Sequence, residues 1–310
     1  MEKLDKLIPE EKKEDVLNSF CRQKPKSFRV NTLKLSSQEL EKRLQSQGLK
    51  IERVPWYTDA FILHEDSKKF METQEYQEGM IYIQGLSSML PAIILDPKPR
   101  ETILDIAAAP GSKTTQIAMM MQNKGHILAN DISRARLFRL KDSLQTQAVT
   151  NTEVTNMPGE TLWKRYTEYF DKTLVDVPCS MEGRFEAYNK KSYEDWTPGK
   201  VRHLAPKQCF LLRSAISSTK VGGTIVYSTC TLSPEENEGV IDWILKKEGT
   251  NIKIEQIELK DIPYLPGITQ WGVKKYNPAV SKTVRVLPSG IMEGFFVAKI
   301  RKVSSYSINF

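Results

Sequence analysis

An α/β fold is predicted: a parallel sheet covered by helices on both faces, preceded by a smaller α+β module. Three features of the 310-residue sequence carry that prediction. Five short runs after residue 101 (TILDIA, GHILAND, EVTN, DKTLVDV and GGTIVYST) are nearly all apolar, as strands buried on both faces are. Helical patterns alternate with these runs. The first 100 residues instead alternate apolar and polar positions around a short helix. With 40% apolar and 27% charged residues, the chain has the composition of a soluble globular protein, which excludes a disordered one. No stretch approaches the roughly 18 apolar residues of a membrane span. The opening MEKLDKLIPEEKKED lacks the apolar centre of a signal peptide. Four cysteines are too few for a disulfide scaffold at this length, so a reducing, cytoplasmic setting is expected.

Residues 9–20 fit a short amphipathic helix opened by Pro9, with acidic residues in its first turn. SFRVNTLKL reads as a strand. SSQELEKRLQSQG reads as a helix capped by Ser36 or Ser37, with Leu40 and Leu44 on one face and Gly48 as its stop. KIERVPW alternates again, completing a β-α-β unit, and GMIYIQGLSSMLPAIIL adds a strand and an apolar helix before Pro97 and Pro99. The expected division is a module over 1–100 and a larger domain over 101–310. In the latter, KTTQIAMMMQN is the helix after the first strand. SRARLFRLKDSLQTQ follows the second, with Leu137, Leu140 and Leu144 apolar, and helical segments 206–220 and 234–247 flank the fifth.

In such sheets the functional groups lie beyond the carboxyl ends of the strands. After the first strand comes Ala107-Ala108-Ala109-Pro110-Gly111-Ser112-Lys113, whose small residues let a ligand approach the backbone and the free N–H groups of the next helix. A phosphate-binding P-loop is excluded, because Ala107 and Ser112 stand where it needs glycines. Asp131, 20 positions beyond Gly111, ends the second strand where folds of this type grip ribose hydroxyls. Asp131 or Ser133 would equally serve as a helix cap. Turn and acid together favour a nucleoside ligand. The fourth strand runs into Asp176-Val177-Pro178-Cys179-Ser180 and the fifth into Ser228-Thr229-Cys230-Thr231. Cys21 and Cys209 read as small buried apolar groups. Neither His64, His126 nor His203 lies near Cys179 or Cys230 in sequence, so no metal site is expected. A cysteine–histidine pair with His203 stays open, but it would not explain a nucleoside pocket.

The net charge of +7 is concentrated in three blocks. Residues 20–34 hold Arg22, Lys24, Lys26, Arg29 and Lys34 without an acid; 184–220 hold eight basic and three acidic residues; 271–302 hold seven basic residues against Glu293. These fit either a groove for a polyanion or three unrelated solvated faces. One reaction uses a nucleoside-bearing cofactor, a thiol, an acid and a nucleic-acid surface: methylation of cytosine carbon 5 by S-adenosylmethionine. A thiolate adding to carbon 6 makes carbon 5 nucleophilic. An acid near ring nitrogen 3 stabilises the charge, and Asp176, three residues before Cys179, suits that task.

From FRVNTLK at 28–34 to EGFFVAKI at 293–300, the chain resembles the Sun (Fmu) family of RNA 5-methylcytosine methyltransferases. YIQGLSSMLPAIIL, LDIAAAPGSKTTQIA, ANDIS, DKTLVDVPCS, GGTIVYSTCTLSPEENE and GFFVAKI look like its successive motifs, in the family's order. The resemblance implies a Rossmann-like methyltransferase sheet, S-adenosylmethionine as cofactor and RNA, either tRNA or rRNA, as partner. It implies that Cys230 is the nucleophile and that Cys179 assists breakdown of the covalent adduct. Asp176 would contact the cytosine at the edge of the cofactor, and Lys113 would lie between cofactor loop and active site. Residues 107–113 would hold the methionine end, Asp131 the ribose, and Arg136 matches a family arginine near the cofactor. The N-terminal module, with Arg29 and Asn31, would help hold RNA. This chain departs from the family at Ala107 (often Cys), Ser112 (Gly), Met157 (an Asp that binds the adenine amine) and Ser180-Met181-Glu182-Gly183 (Ser-Gly-x-Gly). These departures admit an alternative: an RNA-binding assembly factor without catalysis. A monomer is the default expectation. With the sequence ending near 310, no further RNA-binding domain is expected after the catalytic one.

Overall fold

The computed structural model describes residues 2–64 and 67–305; Met1, Glu65, Asp66 and 306–310, which fall in the expected ranges 1–100 and 101–310, lie outside the described residues. Helix α1 (Glu10–Cys21) begins after Pro9 and leads into β1 (Lys26–Val30), α2 (Ser37–Ser46), β2 (Ile51–Arg53), β3 (Ala60–Leu63) and β4 (Ile81–Ile83). These strands form an antiparallel sheet in the order β2-β3-β1-β4. The Ser36 hydroxyl caps α2 by accepting from the Glu39 N–H at 3.2 Å, and Gly48 takes φ +76° just beyond the helix end. Strand β3 was not expected: its residues AFIL are buried at all four positions, so no alternation marks it. Phe28 and Phe61 stack at 5.5 Å, and with Leu40, Leu44 and Phe70 they form a small core of the module's own.

Strand β1 stops at Val30, earlier than the alternation suggests, because Asn31 turns inward. Its amide donates to Gly79 O and Gln147 O, both at 2.9 Å. Arg29 is fully buried: its guanidinium donates to Gln84 Oε1 (3.2 Å) and Thr115 Oγ1 (3.0 Å) and lies 5.5 Å from the Tyr82 ring. The pair expected to face RNA is therefore a buried joint between the module and the larger domain. Cys21 also departs from expectation: it is exposed at the end of α1, whereas Cys209 is buried as read.

Helix α3 (Leu86–Leu95) leaves β4 and packs onto the main sheet. That sheet is built from β5 (Thr102–Asp105), β6 (His126–Asn130), β7 (Thr152–Thr155), β8 (Phe170–Asp176), β9 (Thr219–Thr229), β10 (Ile252–Glu255), β11 (Tyr264–Pro266), β12 (Val284–Val286) and β13 (Phe295–Lys302). Its order is β11-β12-β13-β9-β8-β5-β6-β7, with β10 also paired to β13. Strands β7-β6-β5-β8-β9 are parallel and β13 is antiparallel to β9. The intervening helices are α4 (Ser112–Met120), α5 (Arg134–Thr146), α6 (Pro198–Ser218) and α7 (Glu238–Glu248). Alternate residues of each central strand feed two separate cores. Leu104, Ile225 and Tyr227 pack with α6 and α7, while Ile103, Val226 and Val297 pack with α3 and α4. Helices thus cover both faces, as expected.

Other elements also differ from the sequence reading. Helix α6 starts eight residues before 206, because Thr197 caps it through the Lys200 N–H (3.0 Å) and Pro198 opens it; Pro206 falls inside. Strand β7 is a half-buried edge rather than an all-apolar strand. The basic blocks are also less superficial than expected. Arg29, Arg285 and Lys302 are interior, the last two bound to Glu238 and Glu168. Among the described residues no helix is long and apolar enough to cross a membrane.

Asn31→Ala leaves two buried carbonyls without a donor. It should cost about 2–3 kcal/mol of folding free energy, read as a lowered urea midpoint. An unchanged midpoint would show that Asn31 is not a joint.

Candidate active site

The site begins with register. In the parallel pairing of β8 with β9, Asp176 stands opposite Ser228, and the Ser228 hydroxyl donates to Asp176 Oδ1 at 2.7 Å. Both strands end within three residues of a cysteine, and the Cys179 and Cys230 sulfurs meet at 3.2 Å as free thiols. Lys113, at the start of α4, donates to Asp176 Oδ2 (2.7 Å) and Ser88 Oγ (2.8 Å), and its ammonium lies 5.8 Å from the Phe295 ring. These groups border a cavity of about 340 Å³ lined by Cys230, Asp176, Lys113, Asp105, Ala107, Ala108, Ala109, Pro110, Ser112 and Arg136. Cys179 is buried behind Cys230. Its thiol is pushed well above the ordinary cysteine range, first by its hydrogen bond to Cys230 and then by burial.

Gly111 and Asp131 are brought to the loop but not to the cavity wall. Gly111 takes φ +109°, and a side chain there would meet Leu140 Cδ1 at 3.0 Å and Ser143 Cβ at 3.1 Å, so only glycine lets α5 pack this closely. Ser112 is the first residue of α4 and needs no special backbone angle. Asp131 is buried: Oδ1 accepts from the Ser133 N–H (2.9 Å), while Oδ2 accepts from the Ala109 N–H (3.2 Å) and pairs with Arg136 (3.2 Å). It braces the loop and the start of α5, and Arg136 also donates to Ala109 O. Met157 packs against the core, with its backbone N–H and C=O both held by the Asn130 amide (2.9 and 3.0 Å). His203 is exposed on α6 and is not part of the cavity wall.

Sequence reasoning missed several members. Asp105 is buried in the cavity wall and accepts from Thr114 Oγ1 at 2.7 Å. Burial pushes its carboxyl up to about 7. An acid ending the first strand was the available signal. Arg184 and Glu293 pair at 3.2 Å on the cavity wall, and Glu293 is the chief cause holding the Arg184 pKa up. Glu182 had no sequence signal, because its partners are remote. Oε1 accepts from Lys3 (3.1 Å), Trp196 Nε1 (3.0 Å) and Ser233 Oγ (2.9 Å), and Oε2 accepts from Thr231 Oγ1 (3.2 Å). It thereby ties the Cys179 loop to the Cys230 loop. Ser180 adds a hydroxyl contact to Thr231 (2.7 Å), and the Gly183 N–H donates to Cys230 O (3.0 Å). The Gly294 N–H donates to Gly183 O at 2.9 Å, and a Cβ on Gly183 would fall 2.0 Å from Gly294 O. Met181, where the family has glycine, sits at φ +60° and is exposed. Among the described residues no cluster of three or more His, Cys, Asp or Glu side chains could hold a metal ion.

Sheet order, cavity position and the loop after β5 define a Rossmann-like methyltransferase. The chain belongs to the 16S rRNA methyltransferase RsmB/F family, whose description matches residues 92–301; the N-terminal domain of 16S rRNA methyltransferase RsmF matches 1–86. The chain is 41% identical to the tRNA (cytosine(49)-C(5))-methyltransferase of Pyrococcus abyssi, over 89% of this chain and 88% of that protein. It is 37% identical to the ribosomal RNA small subunit methyltransferase F of Shewanella amazonensis, over 91% of this chain but 59% of that protein. The chain spans about three fifths of such longer relatives. A solved methyltransferase homolog from Pyrococcus horikoshii superposes with TM-score 0.83 at 34% identity, covering 97% and 98% of the two chains. NSun6 from Pyrococcus horikoshii, solved with SFG, gives 0.81 at 26%, covering 98% and 97%. The family is one of S-adenosylmethionine-dependent RNA methyltransferases, which agrees with the cofactor and substrate class read from the motifs. The cavity fits that cofactor. Asp105 and Asp176 offer carboxylates to a ligand carrying an ammonium and a sulfonium, and Ala107 to Ala109 leave the backbone open to it.

Asp105 has a raised acid pKa, so its contribution to stability is fully present below pH 4 and is lost as pH rises toward 7. Between pH 5 and 7.5 that loss should be roughly 2–3 kcal/mol in urea denaturation, and Asp105→Asn should remove it. A variant with the wild-type pH slope would disprove the assignment. Met181→Gly should raise stability by about 1 kcal/mol, by relieving a left-handed non-glycine residue. A lowered urea midpoint would show that the methionine side chain contributes more than its backbone costs.

Proposed function

We propose that this chain methylates carbon 5 of an RNA cytosine through a transient bond from Cys230 to carbon 6. The observation that carries this reading is the 3.2 Å contact between one buried and one cavity-facing cysteine, beside the Lys113–Asp176 pair. Asp105, the backbone of 107–110, Ser112, Lys113 and Arg136 would hold S-adenosylmethionine at the cavity wall that Asp176 also borders, with Asp131 bracing the loop. When bound, the cofactor supplies an electrophilic methyl group. The N-terminal module and the exposed cations would hold tRNA or rRNA, with the target base unstacked into the cavity. We place the enzyme in the cytoplasm, acting as a monomer.

The residues divide the work as follows. The Cys179 and Cys230 thiols share one hydrogen bond with the Arg184 guanidinium close by, and the reacting sulfur is that of Cys230, which borders the cavity. That sulfur bonds to carbon 6, and the ring electrons move toward carbon 5 and nitrogen 3. The Lys113–Asp176 pair holds the polar edge of the pyrimidine and stabilises the charge there. After methylation the carbon 5 proton must leave and the sulfur–carbon 6 bond must break. The first cause that keeps Cys179 protonated is its bond to the Cys230 sulfur, and this weakens once that sulfur is alkylated. Cys179 then gives up its own proton to solvent water, takes the carbon 5 proton as thiolate, and the electron pair left behind expels Cys230 as thiolate.

Cys230→Ala should abolish both methyl transfer from labelled cofactor and adduct formation. Cys179→Ala should still form the adduct but release it slowly, with turnover reduced about 100-fold and a protein–RNA species that survives denaturing electrophoresis. Full turnover in Cys230→Ala, or no trapped species alongside normal turnover in Cys179→Ala, would refute the assigned roles.

A further inference from the structure

We propose that a second cleft, next to the cysteine loops, binds an unpaired RNA nucleotide flanking the target cytosine; this rests on the RNA methyltransferase reading above. The cleft has a volume of about 360 Å³, room for one nucleoside. It lies between the helical segment Glu2–Leu7, the start of α6 and Trp271.

Its chemistry is that of a single-strand subsite. Trp196 and Trp271 both line it, and both indole N–H groups are already committed, to Glu182 Oε1 (3.0 Å) and Glu235 Oε1 (3.1 Å). What the two rings still offer a ligand is aromatic surface, on which any base can stack. Lys3 is occupied by Glu182 (3.1 Å) and Glu235 (3.3 Å) and offsets part of their negative charge. Lys6 and Arg202 are exposed at the cleft and take part in no ion pair among the described residues, so their charge is available to phosphate. The positive end of the 21-residue helix α6 opens there too, at Pro198.

A short run of side chains links the cleft to the active site. Arg184 lines the catalytic cavity, and Phe185 lies 6.0 Å from Tyr193 and 6.4 Å from Trp196, so one aromatic path runs from cavity rim to cleft wall. Lys190 and Lys191 are exposed along the same segment. Glu182, which holds Trp196, also accepts from Thr231 beside Cys230, so one side chain separates the cleft from the nucleophile's loop. An RNA strand whose cytosine enters the cavity can place a neighbouring base between the two tryptophans.

The test measures fluorescence anisotropy with a single-stranded oligoribonucleotide of about 15 residues carrying one central cytosine. It is repeated with an abasic site at each flanking position in turn. In the wild type, an abasic site at the position that occupies the cleft should weaken binding about tenfold. Trp271→Ala should weaken binding of the intact RNA by a similar factor and remove the abasic effect, with S-adenosylmethionine binding unchanged by calorimetry. Arg202→Gln, at an exposed position, should weaken binding to every RNA alike and reduce the salt slope by about one, which keeps the test decisive should Trp271→Ala not fold. An abasic effect that persists in Trp271→Ala, no sensitive flanking position in the wild type, or an unchanged salt slope in Arg202→Gln would overturn the subsite. A wild-type protein that binds none of these RNAs would instead overturn the functional reading beneath it.

Discussion

The opposition of Asp176 and Ser228 across β8 and β9 is the constraint on which the site depends. From that row each chain leaves its strand, and each cysteine follows within three residues. A slip of one residue would move one cysteine by about 3.3 Å along the strand and turn it to the opposite face. The sulfur–sulfur contact of 3.2 Å would then be lost. Lys113 reaches the same point from the neighbouring strand β5 and its following helix, so three adjacent strand ends supply the cysteines, the acid and the cation. The loops beyond the strands are then fastened to each other by Glu182, Thr231 and Ser180.

Buried charge is the second organising element. Arg29 sits in the joint between module and sheet, held by amide, hydroxyl and ring, and among the described residues it forms no ion pair with a carboxylate. Burial lowers its pKa, but a guanidinium starts so high that it stays charged. Arg285 is forked onto Glu238, and Lys302 bonds to Thr219 O at 2.9 Å. These cations add to the +7 of the sequence while standing away from solvent. The field that attracts a polyanion must come from side chains such as Lys6, Lys190, Lys191 and Arg202, which are exposed.

The parallel sheet was legible because strands buried on both faces are apolar throughout, and the cysteines were legible because strand ends are where such sheets work. What failed did so for identifiable reasons. Strand β3, buried at every position, carries no period of two. Arg29 and Asn31 were expected to help hold RNA because the resemblance implied it, and the packing of α4 and α5 against the module places both in the interior instead. Cys21 was taken for a core residue on composition alone, although it ends a helix at the surface. Asp131 could be read as a ribose ligand or as a helix cap; its carboxylate accepts from the Ser133 N–H just ahead of α5 and braces the loop, and it does not cap the helix itself. Glu182 was invisible because Lys3, Trp196, Thr231 and Ser233 are scattered along the chain, and only the fold makes them neighbours.

The contact between Gly183 and Gly294 has a consequence for redesign. Two main chains touch there with no intervening side chain, and one hydrogen bond joins them. The loop after Cys179 and the start of the final strand are therefore packed backbone to backbone. Any residue larger than glycine at position 183 acts as a wedge, prising that loop away from the sheet. An engineer seeking a roomier pocket for a different base should leave this seam closed and work on the Arg184–Glu293 side, where long side chains can swing without parting the backbone.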